Sequence, residues 1–500
     1  MSQSGEYESL FPVKQKRRSF QETQADTVMP DKSPAATQVV KRSAPGTGMV
    51  DGVIGAIDHW KSNQGHKLTF LGLFIFSIVL YFRPYELVPA LSSYKSMAFF
   101  FGILTLAVYV PAQLILEGNL TARPREINLI LLLGLAAFLS MPLASNPSEA
   151  YTTFTDVLLK AILIFIVMVN VIRTESRFKL LVWLAFAVSI YLSVNAVSDY
   201  TNGVFREGTA YNNNQRIGGS IRGLFGNSND LALHLVTMVP LAVGFAFATK
   251  GTARKLLYLS LGVLFVAAII VTFSRGGFLG LVVAIFILVR KFGRNNKALS
   301  TAVLICALLG ILTLAPGAYS SRLSSIVNSA ADTTGSSSQR TEILKRSIWV
   351  TLRYPLFGVG VGNFHYKSVH ELVTHNAYTQ VSSEMGIPAL IFYVMLMVYP
   401  IRQLRKIESD SYQRPDKRKF HAWSIGVQAS ILAYMVSSFF GSVAYQWYIY
   451  YLVGYAVAIR RLYYLHSLSA SGSSNAAVTP GTNESPFSSD SLSKSRAGRF

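Results

Sequence analysis

Long apolar runs separated by short polar connections make up the chain between residues 67 and 464. A transmembrane helix needs about 20 mostly apolar residues, and segments such as 97–116 and 256–273 approach or reach that length without a charged residue. The pattern predicts an all-α, polytopic integral membrane protein with about twelve transmembrane helices. The predicted spans are 68–82, 97–116, 127–144, 157–172, 178–198, 229–249, 255–273, 276–293, 298–316, 376–401, 422–443 and 446–463.

The two ends of the chain have a different, polar composition. Residues 1–66 are rich in Ser, Thr, Gln and Lys, and residues 465–500 are rich in Ser without apolar periodicity. Such segments cannot bury enough apolar surface to fold. We therefore expect three regions: a disordered basic cytoplasmic tail (1–66), a transmembrane domain (67–464) and a disordered Ser-rich cytoplasmic tail (465–500).

The formal net charge of +21 would suggest nucleic acid as the partner of a soluble protein. Here the basic residues form short clusters between apolar runs, where they set membrane topology instead. We therefore expect membrane lipids as partners and no nucleic acid. The single cysteine, Cys306, lies in an apolar run, which excludes a disulfide framework and a cysteine metal site.

Alternate connections between the spans differ in their basic content. Lys and Arg recur in 123–125, 173–179, 250–255, 290–297 and 402–420, whereas 144–156 and 441–446 contain neither. Because basic residues are retained on the cytoplasmic side, the first set is predicted to be cytoplasmic, together with both termini. The long connections, about 199–228 and 317–375, then fall on the outer face, where loops of this length usually carry function.

Arginines are concentrated in the connections predicted on the outer face. Their planar fork gives paired, charge-assisted hydrogen bonds to phosphate, so the cluster predicts an anionic ligand. Arg275 stands between two apolar runs, and a charge at membrane depth indicates function by default. Its alternative interpretation is a topological marker or a snorkelling side chain. For Arg222, next to Gly223, the alternative is an ordinary loop charge.

A histidine opens the tenth predicted span. After His375, the polar residues Asn376, Gln380 and Glu384 follow one another at intervals of four. They give an otherwise apolar helix a polar stripe. A histidine at the water boundary is suited to remove a proton from an acceptor hydroxyl, the alternative being a structural histidine bonded to a loop. A zinc site from His375 and the weaker candidates His365 and His370 is disfavoured, because five-residue steps diverge on a helix.

The outer loop between the ninth and tenth spans, 317–375, is predicted to be partly helical. Leu344, Ile348 and Leu352 recur every four residues with Trp349 at the border, as in an amphipathic helix resting on the bilayer interface with Arg340 in its first turn. The following segment 357–363 contains three glycines but lacks a surrounding βαβ unit. It predicts a tight turn approaching the membrane rather than a nucleotide loop.

Four motifs in order resemble the O-antigen ligase and Wzy polymerase superfamily across roughly residues 68–463. They are Gly226-Asn227-Ser228-Asn229-Asp230; Ser274-Arg275-Gly276-Gly277-Phe278-Leu279-Gly280; Arg340 with Trp349 and Pro355-Leu356-Phe357-Gly358-Val359-Gly360; and His375-Asn376 with Glu384 and Gly386. In addition, Arg83-Pro84-Tyr85-Glu86 resembles an O-glycosylation ligase subgroup.

The resemblance implies a bacterial inner-membrane glycosyltransferase of the GT-C type, which uses an undecaprenyl-diphosphate-linked glycan as donor and a glycan, lipid or protein as acceptor. It implies diphosphate contacts for Arg222, Arg275 and Arg340 and a catalytic role for His375. Asn227, Asn376 and Glu384 belong to the same motifs and are expected to support the site. No cofactor and no metal are expected.

Three other functions stay open at this point. A Wzy-type polymerase would use the same donor with a lipid-linked acceptor. A transporter for a small, bicarbonate-like anion would favour broken helices and a charged site at the membrane midplane. A scaffold for polymer export would use the polar tails as docking segments.

Overall fold

The computed structural model describes residues 65–94, 96–205, 216–298 and 336–476, with a few residues between 301 and 309. The predicted N-terminal tail therefore lies outside the described residues except for 65 and 66, and of the predicted C-terminal tail only residues 465–476 are described. The helices are α1 Lys67–Phe82, α2 Pro84–Leu87, α3 Met97–Glu117, α4 Arg125–Ser140, α5 Pro147–Thr153, α6 Leu159–Val171, α7 Glu175–Thr201, α8 Arg222–Phe225, α9 Ser228–Ala248, α10 Thr252–Val271, α11 Arg275–Phe292, α12 Ser336–Arg353, α13 Ala377–Asp410, α14 Arg418–Ser437 and α15 Trp447–Ala476.

Within the part of the chain that the structure describes, nine helices are long and apolar enough to cross a membrane. The polytopic, all-helical architecture is thereby confirmed. Helices α11 and α15 occupy two further predicted spans, but α11 has three basic residues at its ends and α15 has two internal arginines. The ninth predicted span, 298–316, is mostly undescribed, so the count of twelve and the GT-C relationship stay predictions.

Helix α9 forms the centre of the bundle and is buried on nearly every side. A helix that is apolar all round has no face to present to water, and here it packs against α10, α11 and α14. Gly244 and Gly426 allow the backbones of α9 and α14 to touch, and the Ser430 hydroxyl donates to the Thr237 carbonyl at 2.6 Å. Small residues and interhelical hydrogen bonds are the usual means of packing helices in a membrane.

The two sets of connections meet at opposite ends of the bundle. At one end, the Gly223 amide donates to Glu86 at 3.0 Å and the His375 amide donates to Ser442 at 2.8 Å. At the other end, contacts join Arg177 to the Gly65 carbonyl, Lys419 to Glu175, and Tyr412 to Asn295. The alternation agrees with the predicted topology, while the membrane side that each end faces stays a prediction.

A buried ion pair lies near the basic end. Arg460 of α15 donates two hydrogen bonds, of 2.8 and 2.9 Å, to the fully buried carboxylate of Glu126 in α4. Burying either charge alone would be costly, and pairing with good geometry offsets much of the desolvation. The pair therefore ties α15 to α4. Helix α15 then extends to Ala476, beyond residue 464, where the membrane domain was predicted to end.

The predicted orientation can be tested with cysteines at exposed positions in a Cys306→Ser background. Tyr151→Cys and Gln339→Cys lie at the His375 end, and Lys250→Cys and Gln413→Cys lie at the basic end. A membrane-impermeant maleimide added to intact cells should label only the first two, and the second two should react after permeabilisation. The reverse pattern would overturn the orientation and leave the fold unchanged.

Candidate functional site

Helix α13 is broken near the candidate site. Gly386 has φ 89° and ψ 172°, which no helical residue adopts, and Pro388 follows. Proline has no N–H, so the Glu384 carbonyl four residues earlier loses its helical donor. The Ile387 amide bonds to the Pro355 carbonyl instead of continuing the helix. An apolar environment requires other partners for the carbonyls that the break releases.

The glycine-rich segment 357–363 supplies those partners. The amides of Val359 and Gly360 donate to the carbonyls of Ser383 and Glu384 at 2.9 and 3.0 Å. Gly358, Gly360 and Gly362 all have positive φ values, of 66°, 98° and 76°. A Cβ atom on Gly358 would overlap the Glu384 backbone, so the approach requires glycine. The segment is a turn packed onto α13, in agreement with the prediction.

The polar stripe of α13 is occupied by architectural contacts. The Asn376 side chain caps the helix by accepting from the amides of Tyr378 and Thr379 at 2.9 and 3.1 Å. Gln380 accepts from the Ala444 amide. One oxygen of Glu384, itself only 5% exposed, accepts from the Gly362 amide at 2.7 Å and from the Tyr445 hydroxyl at 2.6 Å. These groups hold the glycine-rich segment and the connection before α15 against α13.

His375 lies immediately before this helix, in a left-handed conformation with φ 51°. Such a conformation is uncommon for residues other than glycine and persists where the surroundings fix it. Here the His375 amide donates to the Ser442 hydroxyl, which also lies 3.1 Å from that of Thr374. Burial lowers the pKa of His375 to about 4, and the positive charge of nearby Arg340 contributes to the lowering. The imidazole is therefore neutral at pH 7.

Arg275 begins α11, where Ser274 caps the helix by accepting from the Gly277 amide at 3.2 Å. The Ser274 hydroxyl also donates to Asn229, the second residue of α9. A cation at a helix N-terminus opposes the helix dipole. An anion bound between the N-terminal amides of α11 and the Arg275 guanidinium would be attracted by both groups and would reduce the repulsion between them.

The segment 437–442 lies between Arg275 and His375. The Ser437 hydroxyl donates to the Gly276 carbonyl at 3.0 Å, and a Cβ atom on Gly276 would meet Phe440. At the other end of the segment, Ser442 holds the backbone of His375. The structure therefore brings Arg275, Arg340 and His375 to one region at the same end of the bundle.

Arg222 and Asn227 lie on the same side, at the start of α9. Arg222 is the first residue of α8, whose Leu224 carbonyl accepts from the buried Tyr448 hydroxyl at 3.0 Å. Asn227 caps α9 by accepting from the Asn229 amide at 2.8 Å. The neighbouring Gly223 amide bonds to Glu86, which is paired with Arg83 at 2.8 Å. Asn227 therefore stabilises the start of α9, where Asn229 accepts the hydrogen bond from Ser274.

His365 belongs to a different cluster from His375. Its Nδ1 lies 3.1 Å from the Gly362 carbonyl oxygen, and its Nε2 lies 3.7 Å from Glu149. In the described ranges, no group of three His, Cys, Asp or Glu side chains has the arrangement of a metal site. The side chain of His370 lies outside the described atoms.

Helix α12 buries a different face from the predicted stripe. Ile343, Ser347 and Val350 pack inward, while Ile348 and Leu352 are 46% and 70% exposed. The hydroxyl of Thr351 lies 2.9 Å from that of Ser382 in α13. The apolar stripe therefore faces away from the protein, as expected for contact with the bilayer interface.

Sequence reasoning missed the hydroxyls that position the site, above all Ser437 and Ser442. Serines are common and neither belongs to a charged motif. The one available signal was the location of Ser442 in a connection predicted to lie on the same face as His375.

The fold and this region define a polytopic membrane protein with an arginine- and histidine-bearing candidate site at one end of its helices. A family model described as O-antigen ligase matches residues 260–394, from within α10 to within α13. The match contains Arg275, Arg340 and His375, confirms the resemblance, and supports membership of the O-antigen ligase and Wzy polymerase superfamily. A comparison with curated proteins finds no match.

The contact between the glycine turn and α13 predicts unequal effects of two glycine substitutions. Gly118→Ala incurs only the left-handed backbone cost, about 1–2 kcal/mol, because nothing lies within 4 Å of the added Cβ. Gly358→Ala has a similar φ and also overlaps Glu384, which adds about 1–3 kcal/mol. Thermal unfolding of the purified variants should rank Gly358→Ala well below Gly118→Ala, and equal midpoints would contradict the contact.

The low pKa of His375 predicts where activity is lost in acid. Neutral imidazole predominates above about pH 4, so kcat/KM should fall only as pH drops through that value. Arg340→Gln removes a cation that lowers this pKa, and the acid limb should therefore move to higher pH. Arg346→Gln, on the same helix but held by Trp349 and the Lys367 carbonyl, is the matched control. An unmoved limb in Arg340→Gln would exclude the assignment of that limb to His375.

Proposed function

We propose that this protein transfers a glycan from a lipid diphosphate, of the undecaprenyl class, to an acceptor hydroxyl on the outer, periplasmic face of a bacterial inner membrane. The family match indicates a membrane glycosyltransferase of the O-antigen ligase or polymerase type. The observation that carries the finer proposal is the neutral His375 beside Arg340, with Arg275 at the far side of the same 437–442 segment.

In the proposed reaction, the acceptor hydroxyl oxygen attacks the anomeric carbon as the bond from that carbon to the diphosphate breaks. The hydroxyl proton passes to the imidazole of His375, and the bonding electron pair leaves with the diphosphate. A single displacement inverts the anomeric centre. The diphosphate is already a good leaving group, so the scheme needs neither nucleotide nor metal.

The arginines act on the leaving group. Positive groups fixed where charge develops stabilise the transition state more than the ground state. Arg275 and Arg340 are the proposed contacts from α11 and α12, and Arg222 is the proposed contact from α8. Their forks suit the two phosphoryl groups of the donor.

Glu384 is already engaged in contacts within the protein. One of its oxygens already accepts from the Gly362 amide and the Tyr445 hydroxyl, both of which would lose a partner if the carboxylate bound substrate. We therefore assign Asn376 and Glu384 to positioning and His375 to proton transfer.

The decisive measurement separates donor binding from turnover in His375→Ala. Loss of a general base costs about 10²- to 10⁴-fold in rate, while the arginines that hold the diphosphate remain. Purified protein in nanodiscs, supplied with lipid-diphosphate glycan and a panel of lipid A core, protein and lipid-linked glycan acceptors, gives kcat and donor Kd separately. The acceptor that is used distinguishes ligase from polymerase.

His365→Ala is the matched control, because the same substitution falls in the same loop but in the Glu149 cluster. It should leave kcat within a few-fold of wild type. If His375→Ala instead weakens donor binding and spares kcat at saturating donor, His375 is a phosphate ligand and the proposed base is wrong.

A further inference from the structure

A second basic region lies at the end of the bundle opposite the candidate site. Helices α11 and α13 both begin near His375 and run away from it. Arg290 lies in the last turn of α11, about 22 Å along the helix from Arg275 at 1.5 Å per residue. The ends of α11 and α13, together with α14 and residues Thr301 and Leu304, line a half-open cavity of about 840 Å³.

The cavity combines apolar walls with a basic mouth. Phe286, Ile287, Val289 and Leu432 contribute the apolar part of its lining. Arg290, Arg294, Lys297 and Arg405 contribute the basic part, and all four are exposed. The apolar and basic surfaces of the cavity are complementary to the two parts of an amphiphilic ligand. A free anion would contact only the basic part.

The positive charge of the cavity is not balanced by its own acid. Glu408 is the one acidic residue of the lining as described, and it is paired with Lys291 and accepts from the Gln428 amide at 2.8 Å. The described ion pairs include none for Arg290, Lys297 or Arg405. The guanidinium of Arg294 is placed 4.7 Å over the Tyr412 ring.

We propose that this cavity binds an anionic phospholipid, with the phosphoryl headgroup among Arg290, Arg294, Lys297 and Arg405 and an acyl chain along Phe286 and Leu432. Basic pockets between helices at a membrane surface have the chemistry for such headgroups. The lipid would pack against α11 and α13, the two helices whose opposite ends carry Arg275 and His375. The site is distinct from the proposed transfer site and does not depend on its chemistry.

The test counts lipids bound to the purified full-length protein by native mass spectrometry, with phosphatidylglycerol or phosphatidylcholine as the probe. The cavity variant replaces Arg290, Arg294, Lys297 and Arg405 by Gln. The control variant replaces Arg123, Arg254, Arg402 and Lys250 by Gln, which removes the same charge from exposed positions outside the cavity.

Wild-type protein should retain phosphatidylglycerol over phosphatidylcholine. The cavity variant should bind it at least about tenfold more weakly, since each basic residue near a lipid surface contributes appreciably to attraction. The control variant should change little. Equal losses in both variants would reduce the effect to general surface charge and overturn the proposal.

The acyl chain and the headgroup are tested separately. Val289→Trp keeps every charge but places a bulky ring in the apolar part of the cavity, so it should also reduce phosphatidylglycerol binding. Normal binding would overturn the acyl-chain placement. Inorganic phosphate at equal concentration should not displace the lipid, and displacement would show a free-anion site instead. Elution volume on size exclusion identifies any variant that fails to fold, and the remaining variants then decide the proposal.

Discussion

The break in α13 imposes the constraint on which the candidate site depends. Pro388 cannot donate a backbone hydrogen bond, and surroundings without water cannot replace one. The Glu384 carbonyl therefore needs the Gly360 amide, and only a glycine-rich turn can approach closely enough to supply it. This exchange of backbone hydrogen bonds attaches the segment that follows α12 to α13, the helix that begins just after His375.

Polar side chains inside the bundle act mainly as supports for irregular backbone. The hydroxyls of Tyr434 and Tyr450 donate to the carbonyls of Val443 and Ala444 in the connection before α15, and the hydroxyl of Tyr448 donates to the carbonyl of Leu224 in α8. A buried tyrosine stabilises its place only when its hydroxyl has a partner. The candidate arginines and His375 are carried by the ends of the helices that this framework holds together.

Close packing of α11 connects its two ends to the rest of the bundle. A Cβ atom on Gly276 would meet Phe440, and one on Gly277 would meet Ala232. These contacts leave α11 little freedom to shift against α9 and α14, because packed helices are not continuously deformable. The backbone of Arg275 is therefore held in place at one end of α11, while Arg290 and Arg294 line the cavity at the other end.

The sequence alone predicted most of the spans, the alternation of basic connections and three motifs that lie within the family match, because these follow from local composition and from motif order. It did not determine which face of α12 is buried. Spacing identified a stripe at Leu344, Ile348 and Leu352, yet Ile343 and Val350 pack inward. An apolar face can turn toward lipid or toward protein, and the choice rests on neighbouring helices. Likewise, only the tertiary structure paired His375 with Ser442 and Glu384 with Tyr445, since these partners are about 60 residues or more apart and meet through the packing of α13, α14 and α15.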